Sequence, residues 1–144
     1  MKHSISTLAI ATLVAIASLT QAHAQNRAVR VNVPFAFNSG SAQLAAGTYT
    51  VEMQSPDIVA LSNDAKRSTR LATIESRTNA GSANAPASLT FRKYGNTYFL
   101  AEYSTGGTTI KLIESNKERS LAREEAMNQT EPSLVQLAAL GQGK

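Results

Sequence analysis

The sequence predicts a mainly β protein: a single antiparallel β-sandwich or small barrel with one surface helix in its C-terminal half. Three observations lead there. Apolar residues alternate with polar ones at a period of two through most of the chain, the spacing of a strand with one buried face. Clusters of Gly, Pro, Asn, Asp and Ser break these runs at short, regular intervals, as hairpins require. Only one sizeable stretch, after Ser115, carries helix-start chemistry, and no tandem repeat interrupts the pattern. At 144 residues and 42% hydrophobic content, the chain has the length of one domain and enough apolar side chains to build a core.

Residues 1–24 precede this pattern and read as a secretory signal peptide. Lys2 and the amino terminus supply the positive end. Residues 5–19 are an uncharged stretch rich in Ala, Leu, Ile and Val, and Ala22-His23-Ala24 offers the small residues a signal peptidase accepts. Cleavage is expected between Ala24 and Gln25, leaving residues 25–144 as a single β-rich domain, exported to the periplasm or secreted. A spanning helix needs about 20 predominantly apolar residues; this run is shorter and diluted with Ser and Thr, and nothing later is apolar enough. No membrane span is therefore expected after processing.

Processing also removes His3 and His23, and the chain has no Cys. A mature protein without thiol or imidazole excludes disulfides, thiolate or imidazole metal sites and any nucleophile activated by histidine; no cofactor is expected. Loss of Lys2 turns 14 basic residues into 13 against 10 acidic ones, a net charge of +3. These cations are scattered rather than striped, so nucleic acid is not an expected partner.

Val29, Val31 and Val33 alternate with Ala28, Arg30 and Asn32 as the first strand. Pro34 cannot donate to a ladder, so this strand is an edge or bends there, and Phe35-Ala36-Phe37 resumes it. Asn38-Ser39-Gly40 is turn chemistry, and Ala45-Ala46-Gly47 marks the next reversal. From Thr48, one face carries Tyr49, Val51 and Met53 and the other Thr48, Thr50, Glu52 and Gln54. Ser55-Pro56-Asp57 turns the chain into a return strand over residues 58–62. Placing Gln54 opposite Ile58 sets Met53 against Val59 and Val51 against Leu61, which builds one apolar face.

Residues 63–68 read as a polar loop, 69–76 as a strand and 77–86 as the longest loop. Residues 88–94 and 97–103 flank Gly95-Asn96, a strong hairpin signal. Residues 104–107 turn into a strand over 108–113. Ser115 and Glu118 have the spacing of a capping box and open a helix over residues 116–127. Its apolar stripe is thin (Leu121, Ala122, Ala126), which keeps it on the surface. After Pro132, residues 134–140 read as a closing strand, although so short an apolar run suits a helix too.

Four stretches carry a family resemblance. They are Val33-Pro34-Phe35-Ala36-Phe37 with Leu44-Ala45-Ala46-Gly47-Thr48-Tyr49-Thr50-Val51, then residues 91–100, then Glu118-Arg119-Ser120-Leu121-Ala122. Together they resemble a group of small exported bacterial β-rich proteins of unassigned function. That group shares a signal peptide, a V-P-F-x-F opening, an L-P-A-G-x-Y-x-V hairpin, an F-x-x-Y-G-x-x-Y-F-L hairpin and an E-R-x-L-A helix. Ala45 stands where the group has Pro, which loosens the turn without moving it. The resemblance implies export and a β-rich fold, and brings no activity and no binding residues.

Among the chemistries still open, carboxylate pairs come first. Glu52, Glu75, Glu102 and Glu114 fall in or beside expected strands, and two carboxylates about 5–9.5 Å apart can hydrolyse a glycosidic bond. No spacing motif unites the four, and charged strand residues ordinarily point outward. No S-x-x-K spacing occurs, and Asp57, Asn63 and Asp64 lack the pattern of a calcium loop and serve as turn formers.

The second hairpin offers more. Pairing Tyr94 with Thr97 sets Arg92 opposite Phe99, Lys93 opposite Tyr98, Phe91 opposite Leu100, Leu89 opposite Glu102 and Ser88 opposite Tyr103. Leu89, Phe91, Tyr98 and Leu100 then face the core, and Arg92, Tyr94, Phe99 and Tyr103 share the other face. Left open, that face would stack on sugars or on a partner's side chains. Covered by the helix or another layer it is ordinary packing, the commoner use of strand aromatics.

The expectation is thus a non-enzymatic exported β domain with a binding or structural role in the cell envelope or extracellular space. Its partner would be a polysaccharide or a protein, and Arg92, Tyr94, Phe99 and Tyr103 its binding residues. The alternative is a small polysaccharide hydrolase using paired carboxylates. A third reading is assembly through an edge such as residues 28–33.

Overall fold

The computed structural model describes residues 28–141, so the expected cleavage site at Ala24 and Gln25 and both histidines lie outside the described residues. The chain is mainly β, 57% strand against 11% helix. Its elements are β1 (Val29–Val33), β2 (Phe37–Ser39), β3 (Ala42–Leu44), β4 (Gly47–Ser55), β5 (Ile58–Asn63), β6 (Ser68–Asn79), β7 (Ser88–Tyr94), β8 (Thr97–Thr105), β9 (Thr108–Leu112), α1 (Asn116–Met127) and β10 (Ser133–Ala138).

All ten strands belong to one sheet. From β1 the neighbours run β4, β5, β6, β9 and β8. One edge of β8 then pairs with β7, which pairs with β10. The other edge of β8 is shared: β9 takes residues 102–105, and β2 takes Phe99 through a parallel bridge to Asn38. Every other pairing is antiparallel, so that one bridge makes the sheet mixed. The sheet curls until its ends meet, and the Leu140 N–H donates to the Arg30 carbonyl at 2.7 Å. No ladder forms between β1 and β10, so the sheet is not closed.

Alternation decides what fills the interior. Val29, Val31 and Val33 are buried while Arg30 and Asn32 are exposed, the period-two pattern of a half-buried strand. These valines join Tyr49, Val51, Val59, Leu61, Leu89, Phe91 and Ile110 in one core. Phe37 sits at its centre, edge-on to both Tyr49 and Phe91 with ring centroids 5.2 Å apart in each case. Burying each such side chain contributes about 1.5–3 kcal/mol.

Pro34 ends β1 at the margin of the sheet. Met53 pairs with Val59 and Val51 with Leu61, as the alternation requires; at the tip, however, Ser55 and not Gln54 lies opposite Ile58, because a bulge absorbs Gln54. Asn38 and Ser39, read as turn formers, instead extend as β2, and the reversal falls on Gly40 and Ser41. Gly40 takes the left-handed backbone (φ 59°) that such a tight turn needs. Strand β6 runs on to Asn79 because Arg77, Thr78 and Asn79 pair with β9, which shortens the expected long loop. Helix α1 spans the expected residues, and the C-terminal apolar run is strand.

Candidate functional site

The hairpin face singled out by the sequence is not an open platform. Tyr94 is 4% exposed and Phe99 1%, and their rings pack edge-on at 5.8 Å on the side of the sheet that α1 covers. Tyr103 leaves this face altogether. The register holds from Tyr94–Thr97 to Phe91–Leu100, and then a bulge shifts it so that Thr90 meets Glu102 and Leu89 meets Tyr103. One added residue exchanges the faces of everything beyond it. Tyr103 therefore points inward, 1% exposed in the core beside its β9 partner Ile110, and Glu102 turns outward. The pairings of Leu89 with Glu102 and Ser88 with Tyr103 are corrected accordingly.

Arg92 is the fourth member, and its role is to hold the helix. Its Nε donates to Glu118 Oε1 at 2.6 Å, and its Nη2 lies 3.3 Å from Glu114 Oε1. Glu118 is also the N3 residue of α1, where its backbone N–H donates to the Ser115 hydroxyl at 3.1 Å. Burial pushes the Glu118 carboxyl above its usual range, and the hydrogen bond and charge of Arg92 draw it back only in part. For Arg92, burial alone would lower the pKa; the bond to Glu118 and the two carboxylate charges outweigh it and raise the value. Tyr94 is raised first by burial and then by the Glu118 charge.

Among the described residues, a concave feature lies elsewhere, where the sheet splits. Strand β9 fills the space between β8 and β6 only as far as Leu112, after which the chain leaves for α1. Below that point the β2–β3 hairpin faces the first half of β6 without pairing to it. The seam holds a cavity of about 890 Å³ lined by residues 38–42, 69–73 and 112–117. That size falls within the range of ligand sites.

Its walls are chemically mixed. Arg70 pairs with the core residue Leu61 and so belongs to the inner face, yet it is exposed at the opening. Leu71 and Ile113 stand exposed, at 57% and 49%. Neither Arg70 nor Lys117 has a carboxylate partner among the described residues, and the one acid of the lining, Glu114, lies against Arg92. Ser39 is buried, and its hydroxyl has no hydrogen-bond partner among the described residues. A second hollow of about 250 Å³, between residues 81–88 and the β8–β9 turn, carries no charged side chain.

The carboxylates considered for hydrolysis are dispersed: Glu52 on β4, Glu75 on β6, Glu102 on β8 and Glu114 before α1. Only Glu114 lines either cavity. Asn63 and Asp64 have turn roles, the Asn63 side-chain oxygen accepting from the Lys66 N–H at 3.0 Å and Asp64 pairing with Arg30 at 3.0 Å. The seam is not legible in the sequence because its residues come from five separate elements. The one local sign was Arg70, a cation in strand alternation with Ala72 and opposite apolar Leu61. The chain matches no family model, no curated protein and no solved structure.

Proposed function

We propose that the chain is an exported, non-enzymatic β domain that binds a ligand in the cell envelope or extracellular space through the seam between β6 and the β2–β3 hairpin. The seam itself carries this reading: a cavity of ligand size whose exposed Leu71 and Ile113, free cations and unbonded Ser39 hydroxyl have no partner among the described residues. Export rests on the positive, apolar and small-residue parts of residues 1–24. The interior aromatics that the hairpin would have offered to a ligand serve packing instead, which moves the binding surface to the seam.

Two measurements test the reading. N-terminal sequencing of protein recovered outside the cytoplasm should begin at Gln25; retention of His23 would contradict export by cleavage. Amide resonances should be followed while soluble peptidoglycan fragments, and separately an envelope peptide digest, are titrated in. Binding through the seam predicts shifts gathered in residues 38–42, 69–73 and 112–117. Shifts confined to other surfaces, or none with either material, would overturn the seam as the site.

A further inference from the structure

We propose, resting on the seam as the binding site, that its occupant is an extended polypeptide segment of alternating acidic and apolar residues that adds to the free edge of β6 as a strand. The backbone directions lead to this. The Thr73 carbonyl accepts from the Ile113 N–H at 3.0 Å, so Thr73 turns its backbone groups toward the seam. The Ile74 N–H donates to the Asp57 carbonyl at 2.9 Å, so Ile74 turns toward the β5 side. In a strand, consecutive residues direct their backbone groups to opposite edges. Leu71 and Thr69 therefore aim two N–H and two C=O groups into the seam, while Ser68, Arg70 and Ala72 bond to β5. No strand of the described residues takes those four groups. They continue the row that β9 occupies as far as Leu112.

Cross-strand neighbours share a face, which fixes the chemistry of an added strand. A residue opposite Leu71 joins the outer face, where Leu71 and Ile113 are exposed, and an apolar side chain suits it. A residue opposite Arg70 joins the inner face, with the Arg70 guanidinium and the seam-lining Ser39 nearby; a carboxylate suits it. Lys117, in the first turn of α1, adds a second cation at the upper end of the seam. The seam lining contains no aromatic side chain on which a sugar could stack, whereas a free edge with alternating donors and acceptors is what strand addition uses.

The probe is a fluorescein-labelled hexapeptide of alternating glutamate and valine, read by fluorescence anisotropy with the purified protein. Saturable binding is expected, with none for the lysine–valine counterpart. Combining Arg70→Glu with Lys117→Glu should weaken it at least tenfold. Leu71→Pro should abolish it, since proline removes an N–H that β5 does not use. Two N-methylated peptides, each blocking alternate amides, keep the test decisive if the proline variant does not fold. At least one of them should lose tenfold or more in affinity. Undiminished binding by both N-methylated forms, or no binding of the unmodified peptide, would overturn strand addition. If the peptide is ignored while seam amides still shift with peptidoglycan fragments, strand addition falls and the seam remains the binding site. If seam amides respond to nothing, both fall.

Discussion

Glu118 enters the sequence as the N3 residue of a capping box and ends in the structure as the anchor of a helix to a sheet. Its carboxylate is buried against Arg92, so the two natural substitutions separate charge from contact. Glu118→Ala leaves the Arg92 Nε without an acceptor and should cost about 2–3 kcal/mol in urea unfolding. Glu118→Gln keeps an oxygen for Arg92 and should stay within about 1 kcal/mol of the wild type.

Their pH dependence follows from the raised Glu118 carboxyl. The folded state holds that proton more tightly than the unfolded chain does. Its contribution is therefore fully present below the ordinary value of 4.5 and is lost as pH rises through the folded-state value. Wild type should lose stability relative to Glu118→Gln as pH climbs above 4.5 and through the folded-state value. The opposite trend would mean that Arg92 dominates over burial. Tyr103 gives a second residue-scale outcome: as a core ring, Tyr103→Ala should cost about 3 kcal/mol or more, measured by the same unfolding. Unchanged stability would return Tyr103 to the surface.

At the scale of elements, local chemistry was legible wherever one short stretch decides the outcome. Gly95-Asn96 specifies its hairpin, Ser115 caps α1 at the expected residue, and Val51 and Met53 find the expected partners. What escaped reading were single added residues. The bulges at Gln54 and Ala101 have no signature in residue type, yet the second carries Tyr103 from one face to the other. The polar residues Arg77 to Asn79 look like loop in the sequence, and only their pairing with β9 makes them part of β6.

The β8–β9 turn shows what tertiary contact adds to local preference. Gly106 and Gly107 both have left-handed backbones, but a Cβ on Gly106 would meet nothing within 4 Å, whereas one on Gly107 would lie 2.6 Å from the Gly81 carbonyl oxygen. Gly106→Ala should cost about 1 kcal/mol for its backbone angle alone. Gly107→Ala should cost about 3 kcal/mol, since the same strain is joined by a clash with backbone. Thermal unfolding of the two variants side by side distinguishes them; equal losses would mean that the 80s loop does not rest on the turn.

For the whole molecule, the fold class was legible and the site was not. Period-two alternation announces strands with one buried face, but a seam is a property of strand order. It arises because β9 stops at Leu112 while β6 continues past it and the β2–β3 hairpin docks on β8 instead. Apart from Arg70, no residue in the seam stands out in the sequence.

Residue-resolved amide hydrogen exchange of the free protein, repeated with the alternating peptide bound, tests this account most directly. Thr69 and Leu71 should exchange far faster than Arg70 and Ala72 in the free state, because only the latter pair bonds to β5, and should gain protection on binding. Equal protection of all four in the free protein, or no change at Thr69 and Leu71 when the peptide binds, would contradict it.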